Sequence, residues 1–384
     1  MNNTDEKFMQ KALKLAARGY GAVEPNPMVG CVIVRDGKII GQGGHKKFGG
    51  PHAEINALAN CKTRGSEPRG ATMYVTLEPC CHQGKTGPCT DAIIAAGITK
   101  VFVAMIDPSP HTNGKGIEQL RSAGIEVQFG VLEEQAAALN APFIKFTKTN
   151  KTWVIAKWAQ SIDGKITWVD ELGVRRWISN KLSRQDSHNL RRRVRAILVG
   201  IETVFADNPL LTPRPPRSRK PARIVLDSHL RIPLDCNLLA TAKAAPVIIA
   251  TTHGAVEAEL DKAAQIKKLG AEVLACPTVQ DRIDIRFLLD ELSKRGIAQL
   301  LVEGGAKVID SFLKLYLADE ICIYIAPRIL GSQGQVNITE PMDKLGKVIS
   351  LKNANIIRFE DDIRLSGIID IEKSLEDIFT QDKL

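Results

Sequence analysis

Long apolar runs are missing from this 384-residue sequence. No stretch approaches the roughly eighteen consecutive apolar residues that a membrane-spanning helix requires, so an integral helical membrane protein is excluded. The opening MNNTDEKFMQ lacks the basic-then-apolar order of a secretory signal, so export is not expected and the cytoplasm is the default compartment. Internal repeats and long low-complexity tracts are absent too. Aromatic residues are missing from the proline-broken basic run TPRPPRSRKPAR at 212–223, which leaves no rings to stack bases and weakens a single-strand-binding role for it.

What is present is ordinary globular material, 44% apolar and 25% charged. The length exceeds one core and implies two domains, or three. The formal charge of +9 has a bland explanation, a solvated basic surface, and a sharper one, anionic ligands. The arginines concentrate at Arg191, Arg192, Arg193 and Arg195 and in the 212–223 run, a distribution that suits small phosphorylated ligands better than nucleic acid. Eight cysteines make an even count, yet a long chain without an export signal argues against a disulfide framework. Most are expected as buried apolar residues. Cys80, Cys81 and Cys89 stand apart from the rest.

The patterning alternates strands and helices. MVGCVIV (28–34) and KIIGQG (38–43) read as paired strands around an Asp36-Gly37 turn. A helix over 52–61, a strand over 71–78, a helix over 89–97 closed by Gly97 and a strand over 100–107 follow. Then come a helix at 115–123, a strand at 126–131 and a helix at 132–146. The threonine-rich FTKTNKTW (146–153) is the expected linker. Beyond it a strand opens at 153 and a basic helix spans 180–195, with Ser179 as its cap. Strands are expected at 196–200, 222–228, 246–252, 271–277, 299–305 and 320–330, and helices at 255–269, 284–296 and 306–318. This predicts two α/β domains in series.

One constellation carries specific chemistry. His52-Ala53-Glu54 is followed by Pro79-Cys80 and Pro88-Cys89. A catalytic zinc takes about three protein ligands and keeps one position for water, and His52, Cys80 and Cys89 supply an imidazole and two thiolates. Cys89 follows a proline and opens a helix, where the dipole favours a thiolate. Glu54, two residues past His52, is placed to handle the proton of the attacking water without binding the metal. Zinc lowers the pKa of water towards roughly 7, which suits hydrolysis of an exocyclic ring amine. The competing possibility is a closed structural site with Cys81 or His82 as a fourth ligand. Cys80 is preferred over Cys81 because it directly follows proline, as Cys89 does.

H-A-E with two downstream P-C pairs resembles the cytidine-deaminase superfamily. The long insert CCHQGKTGPC, with NPMVGCVIV upstream and GHKKFGGPHAE between, looks like the deaminase half of the bifunctional riboflavin-biosynthesis deaminase/reductase family. That resemblance implies a phosphoribosylamino-pyrimidine substrate, with His45, His82 and Lys85 near its phosphate and Asn26 near its ring.

Unaided, the second half offers LLVEGGA, a strand ending in two glycines before a helix, as a phosphate cradle or simply a turn. KWAQSIDGKI, WIS, SRQDSHNLR, AILVGIETVFADNPLLTPR, VLDS and VEGGA follow the order of the family's reductase domain, which is similar to dihydrofolate reductase and uses NADPH. The resemblance implies Ala159, Trp177, Thr203, Asp207, Ser228 and Gly305 along the cofactor. Arg191, Leu211, Arg214 and Glu303 fall to the phosphoribosyl substrate. The alternatives are core packing for Trp177 and Leu211 and a helix or turn cap for Asp207. One departure stands out: Gly173-Val174-Arg175-Arg176-Trp177 replaces the family's G-x-S-x-W, so Arg175 either reaches the phosphate or the contact is lost.

The expected architecture is therefore a cytidine-deaminase-like three-layer α/β/α domain over 1–147 and a dihydrofolate-reductase-like α/β domain over 151–370. A tail at 371–384 completes it. The expected cofactors are one Zn2+ and NADPH, the expected partner a phosphorylated pyrimidine rather than nucleic acid or membrane. The resemblance further implies a homo-oligomer, dimer or tetramer. The rival is a nucleic-acid or nucleotide base deaminase with a basic binding module, which would bind nucleic acid in a salt-dependent way and ignore NADPH. CCHQGKTGPC and the ordered second-half motifs speak against it, and Glu54 speaks against a scaffold with a purely structural zinc.

Overall fold

Asp36 and Gly37 both take positive φ, 49° and 72°, as a tight hairpin turn with the right-handed strand twist requires. They join β1 (Gly30–Arg35) to β2 (Lys38–Gly44) in an antiparallel pair. The computed structural model describes residues 3–82, 87–216, 220–334, 336 and 348–370, and the chain divides into two units, Met1–Asn150 and Lys151–Leu384.

The first unit opens with α1 (Asn3–Ala16) and continues through β1 and β2 to α2 (Ala53–Thr63) and β3 (Thr72–Val75). Next come α3 (Cys89–Ala95), β4 (Lys100–Val103), α4 (Lys115–Ser122), β5 (Glu126–Phe129), α5 (Glu133–Leu139) and α6 (Ala141–Thr149). The sheet order is β2-β1-β3-β4-β5, antiparallel at β2-β1-β3 and parallel from β3 to β5. Successive residues of β2 point to opposite faces, and its glycines show what covers each. A Cβ on Gly43 would lie 2.4 Å from Ala57 N of α2, and one on Gly44 2.9 Å from Leu15 O of α1. The two helices thus press on opposite faces of the sheet, in a three-layer arrangement. Both faces of β1 are consequently apolar, and Cys31, Val32 and Ile33 have no exposed surface.

The second unit begins with β6 (Trp153–Ser161), the short pair β7 (Trp168–Val169) and β8 (Arg175–Arg176), and α7 (Lys181–Arg193). There follow β9 (Ala196–Gly200), α8 (Ile201–Asp207), β10 (Ala222–Leu226), α9 (Asn237–Ala240) and β11 (Val247–Thr252). The next elements are α10 (His253–Ala258), α11 (Leu260–Lys268), β12 (Glu272–Cys276), the ribbon β13 (Thr278–Val279) with β14 (Arg282–Ile283), and α12 (Ile285–Lys294). The unit closes with β15 (Gln299–Val302), α13 (Ala306–Lys314), β16 (Glu320–Ala326), β17 (Leu351–Phe359) and β18 (Asp362–Ile369). The sheet order is β12-β11-β10-β9-β15-β6-β16-β18-β17, parallel from β12 to β16 with an antiparallel hairpin at the end. Central strands such as AILVG and QLLV are buried throughout, as parallel strands with both faces covered must be.

Several expectations need correction. Residues 146–149 belong to α6 rather than to a linker, which shrinks to 150–152. The helix expected over 132–146 is two, broken at Asn140 ahead of Pro142, and the one over 255–269 divides at Glu259. Helix α7 is capped by Asn180, whose side chain accepts from Ser183 N, and not by Ser179. Helices α1 and α8 and the β17–β18 hairpin were not anticipated. Residues 371–384 lie outside the described residues. Among the described residues no helix is long and apolar enough to cross a membrane.

Candidate active site and metal centre

Beyond the end of β3 the chain turns through Leu77-Glu78-Pro79-Cys80 and places Cys80 beside two helix starts. His52 is the N-cap of α2, in extended conformation, and Cys89 is the first residue of α3 behind Pro88. His52 Nδ1 lies 3.5 Å from Cys80 Sγ and 3.3 Å from Cys89 Sγ, and all three atoms fall within 4.8 Å of one another. Tetrahedral coordination with ordinary Zn–S and Zn–N lengths requires N···S separations of about 3.5 Å, so the donor set fits zinc without rearrangement. Among the described residues this is the cluster of metal-ligating type; Cys81 and His82 are not part of it.

The electrostatics poise one of the two thiols, Cys80, as the thiolate. A hydrogen bond with Cys89, helped by His52, holds the Cys80 thiol far below its ordinary value, at about 4, against the upward push of burial. The same hydrogen bond and burial push Cys89 upward. His52 is raised, chiefly by its hydrogen bond with Cys80. Burial drives the Glu54 carboxyl up to about 7, the range in which a group both accepts and releases protons at neutral pH.

These groups face a cavity of about 400 Å³. His52, Glu54 and Cys80 line it, as do Asn26 and His45, while Cys89 is fully buried behind them. The tautomer of His45 is fixed by its partners: Nδ1 donates to Pro51 O at 3.0 Å, and Nε2 accepts from Asn26 Nδ2 at 3.3 Å. Burial lowers the pKa of His45, which keeps the ring neutral. His82 stands exposed at the lining, while Lys85 lies outside the described residues. The rest of the polar lining was missed by sequence reasoning. Asp107, Ser109 and Thr112 come from the loop after β4, and Phe143 and Thr147 from α6. The polar, Pro- and Gly-bearing segment DPSPHTNGKG directly after a strand was the available signal for the first three.

In the second unit, four of the expected cofactor residues sit at or just beyond the carboxyl ends of adjacent parallel strands. These are Ala159 on β6, Thr203 after β9, Ser228 after β10 and Gly305 after β15. Open parallel sheets bind ligands at that edge. A Cβ on Gly305 would come 4.0 Å from Thr203 Oγ1, so those two residues adjoin. Gly305 caps α13 without a side-chain bond, leaving the first amides of that helix to a phosphate. This cradle fits a dinucleotide.

Arg191, Arg214 and Glu303 are also brought together. Arg191 grips Glu303 bidentately, both bonds 2.8 Å, Lys157 Nζ stands 3.8 Å from the same carboxylate, and Arg191 and Arg214 both depress His188 after burial has done so. Leu211 is buried at positive φ, as core packing implies. Trp177 is not core: it is 72% exposed, with the Arg184 guanidinium 5.0 Å from its ring centre. Asp207 ends α8 and pairs with Arg175, so the arginine that replaces the usual serine is engaged by an acid.

Fold and site together define a two-part enzyme, a zinc-type amine hydrolase followed by a reductase-type parallel sheet. Residues 2–105 match the cytidine and deoxycytidylate deaminase zinc-binding region, and residues 152–365 match the RibD C-terminal domain. The riboflavin biosynthesis protein RibD of Actinobacillus pleuropneumoniae is 42% identical over 95% of this chain and 96% of its own. That of Escherichia coli K12 is 36% identical over 94% and 98%. Among solved structures, RibD of Acinetobacter baumannii superposes with a TM-score of 0.79 at 36% identity, covering 95% of this chain and 99% of that one. The diaminohydroxyphosphoribosylaminopyrimidine deaminase/5-amino-6-(5-phosphoribosylamino)uracil reductase of Thermotoga maritima gives 0.78 at 35%, with the same coverage. The chain belongs to the RibD family, bifunctional deaminase/reductases of riboflavin biosynthesis that use zinc in the first half and NADPH in the second.

Proposed function

We propose that residues 1–147 hydrolyse the 2-amino group of 2,5-diamino-6-(5-phosphoribosylamino)pyrimidin-4-one and that residues 151–370 then reduce the ribosyl group to ribityl. The product is 5-amino-6-(5-phosphoribitylamino)uracil. The observation that carries the first step is the convergence of His52 Nδ1, Cys80 Sγ and Cys89 Sγ beside the buried Glu54 in a cavity of about 400 Å³.

Zinc, when bound by His52, Cys80 and Cys89, supplies the Lewis acidity that makes water a competent nucleophile near neutral pH. Glu54 takes one proton of the attacking water at its carboxylate and gives it to the ring nitrogen, then takes the second from the newly attached hydroxyl and gives it to the amino group, which leaves as ammonia as the C–N bond breaks. Its upward-shifted pKa suits both transfers. Asn26 orients the pyrimidine, and His45, His82 and Lys85 serve the phosphate. Helix starts at His52 and Cys89 stabilise negative charge on the ligand set.

In the reductase half, NADPH supplies the hydride when bound. Ala159, Trp177, Thr203, Asp207, Ser228 and Gly305 bind and orient the cofactor at the carboxyl edge of the sheet. Arg191, Leu211, Arg214 and Glu303 hold the phosphoribosyl substrate. The Arg191–Glu303 pair fixes the geometry of both side chains, leaving Arg214 as the cation for the phosphate. Arg175 is paired with Asp207, one of the cofactor residues, and reaches the substrate phosphate only if it leaves that partner. The enzyme works in the cytoplasm as a homo-oligomer.

Mass spectrometry of the diamino-pyrimidine phosphoriboside, incubated with the zinc-loaded chain with and without NADPH, tests both steps. A deaminated product that becomes reduced only with NADPH supports the proposal. An unchanged substrate overturns it, and deamination without reduction overturns its second half.

A further inference from the structure

Glu78 takes no part in the chemistry described so far, yet it is buried and fully engaged. It is 3% exposed and lies two residues before Cys80. Its Oε2 accepts from Asp107 N at 3.1 Å and from Gly114 N at 2.9 Å, and its Oε1 from Gly116 N at 2.9 Å and Ile117 N at 3.3 Å. A carboxylate that merely capped α4 would need only the last two, the second and third amides of that helix. The first two are the ends of the loop 107–114, so one oxygen closes the neck of that loop. Asp107, Ser109 and Thr112, which line the cavity, all lie within it.

A second contact ties the same parts together. A Cβ on Gly116 would fall 2.2 Å from Pro79 O, so the start of α4 rests directly on the turn that presents Cys80. The loop is thereby docked twice onto the peptide units next to the metal ligand. Thr112 makes the consequence concrete: it is 1% exposed on the cavity wall, and its Oγ1 has no hydrogen-bond partner. Residues of the lining keep a set distance from the metal ligand only if the loop that carries them is held in register with it.

We propose that Glu78 is a positioning residue for substrate, fixing the 107–114 loop against the Cys80 turn so that Asp107, Ser109 and Thr112 meet the pyrimidine at a set distance from Glu54. This rests on the deaminase function proposed above. Glutamine at 78 keeps one acceptor oxygen but turns an NH2 group towards two backbone N–H groups, which releases part of the loop while leaving every metal ligand in place.

The test pairs E78Q with G116A, which lifts the same segment off Pro79 by a different route. Amide hydrogen exchange on the zinc-loaded full chain, without substrate, is expected to accelerate about tenfold or more at Asp107, Gly114 and Gly116 in E78Q. Zinc content is expected to stay at the wild-type level. With the diamino-pyrimidine phosphoriboside, KM is expected to rise about tenfold in both variants while kcat changes by less than about threefold. Unchanged amide exchange, or loss of zinc and kcat together at unchanged KM, overturns the proposal and leaves Glu78 a structural support of the metal turn. Should E78Q fail to fold, G116A decides by the same KM criterion. A wild-type chain that does not deaminate this substrate overturns the proposed function, while the exchange rates still decide whether Glu78 docks the loop.

Discussion

Replacing Arg191 with methionine would leave the Glu303 carboxylate buried with its bidentate partner gone. Burial drives that carboxyl upward, but Arg191 and then Lys157 outweigh it and hold it at about 2, against an ordinary value of 4.5. At about 1.4 kcal/mol per unit, the net effect of burial and its cationic neighbours on the ionised carboxylate is worth about 3 kcal/mol of folding free energy. Stranding one partner of a buried pair independently costs about 3–5 kcal/mol. A carboxyl whose pKa is lower folded than unfolded contributes fully above 4.5 and loses its contribution as the pH falls towards 2. The stability gap between wild type and R191M is therefore expected to be about 3 kcal/mol at neutral pH and to shrink as the pH falls, first through the pKa of the stranded carboxyl, which burial raises, and then towards 2. Trp153, Trp158, Trp168 and Trp177 are all the tryptophans of the chain and all lie in the second unit, so urea unfolding followed by tryptophan fluorescence reads that unit. Adding E303L should restore much of the loss, because the stranded charge is removed with its partner. A gap below about 1 kcal/mol, or one that does not change with pH, would refute the electrostatic account and leave Arg191 as a ligand-binding residue alone.

Glu54→Gln should lower deamination about 10²–10⁴-fold, the usual contribution of a general acid–base group, with zinc retained by elemental analysis. Cys80→Ser should lose zinc and deamination, whereas Cys81→Ser should keep both, since Cys81 lies outside the ligand cluster; equal effects would mean that either thiol binds. Arg175→Ser breaks an exposed pair with Asp207 and should shift unfolding of the second unit by about 1 kcal/mol or less, as measured by urea titration.

The metal centre was legible because its parts are local. H-A-E at a helix start and two P-C pairs each state their position in a few residues, and the structure brings the three ligand atoms together. Apart from β17 and β18, the strands of both sheets were legible for the same reason, each being a short apolar run between turn signals. The later part of the cavity lining was not. Phe143 and Thr147 reach it because the chain breaks at Asn140, whose side chain accepts from Met28 N and donates to Met28 O across 112 residues of sequence. No window of sequence contains both ends of such a contact, so 132–146 read as one helix. The β17–β18 hairpin escaped for a different reason: β17 is an edge strand whose middle residues are exposed, and it lacks the buried alternation that marks a strand. In the second unit, Arg191 and Arg214 were singled out singly, but the bond between Arg191 and Glu303 was invisible because a helix and a strand end separated by 112 residues supply it.

The lining of the deaminase cavity is written in separate stretches of the chain. Residues from Asn26 to Cys89 carry everything that handles the metal and the proton, and the match to a general deaminase zinc region ends at 105. Asp107, Ser109, Thr112, Phe143 and Thr147 all come afterwards. A cut near residue 106 thus separates part of the lining from the metal ligands and Glu54, with Asn26, His45 and His82 staying on the ligands' side of it. A library confined to 107–147 would explore new ring amines while leaving the hydrolytic apparatus untouched, much as a lock is rekeyed without replacing its bolt.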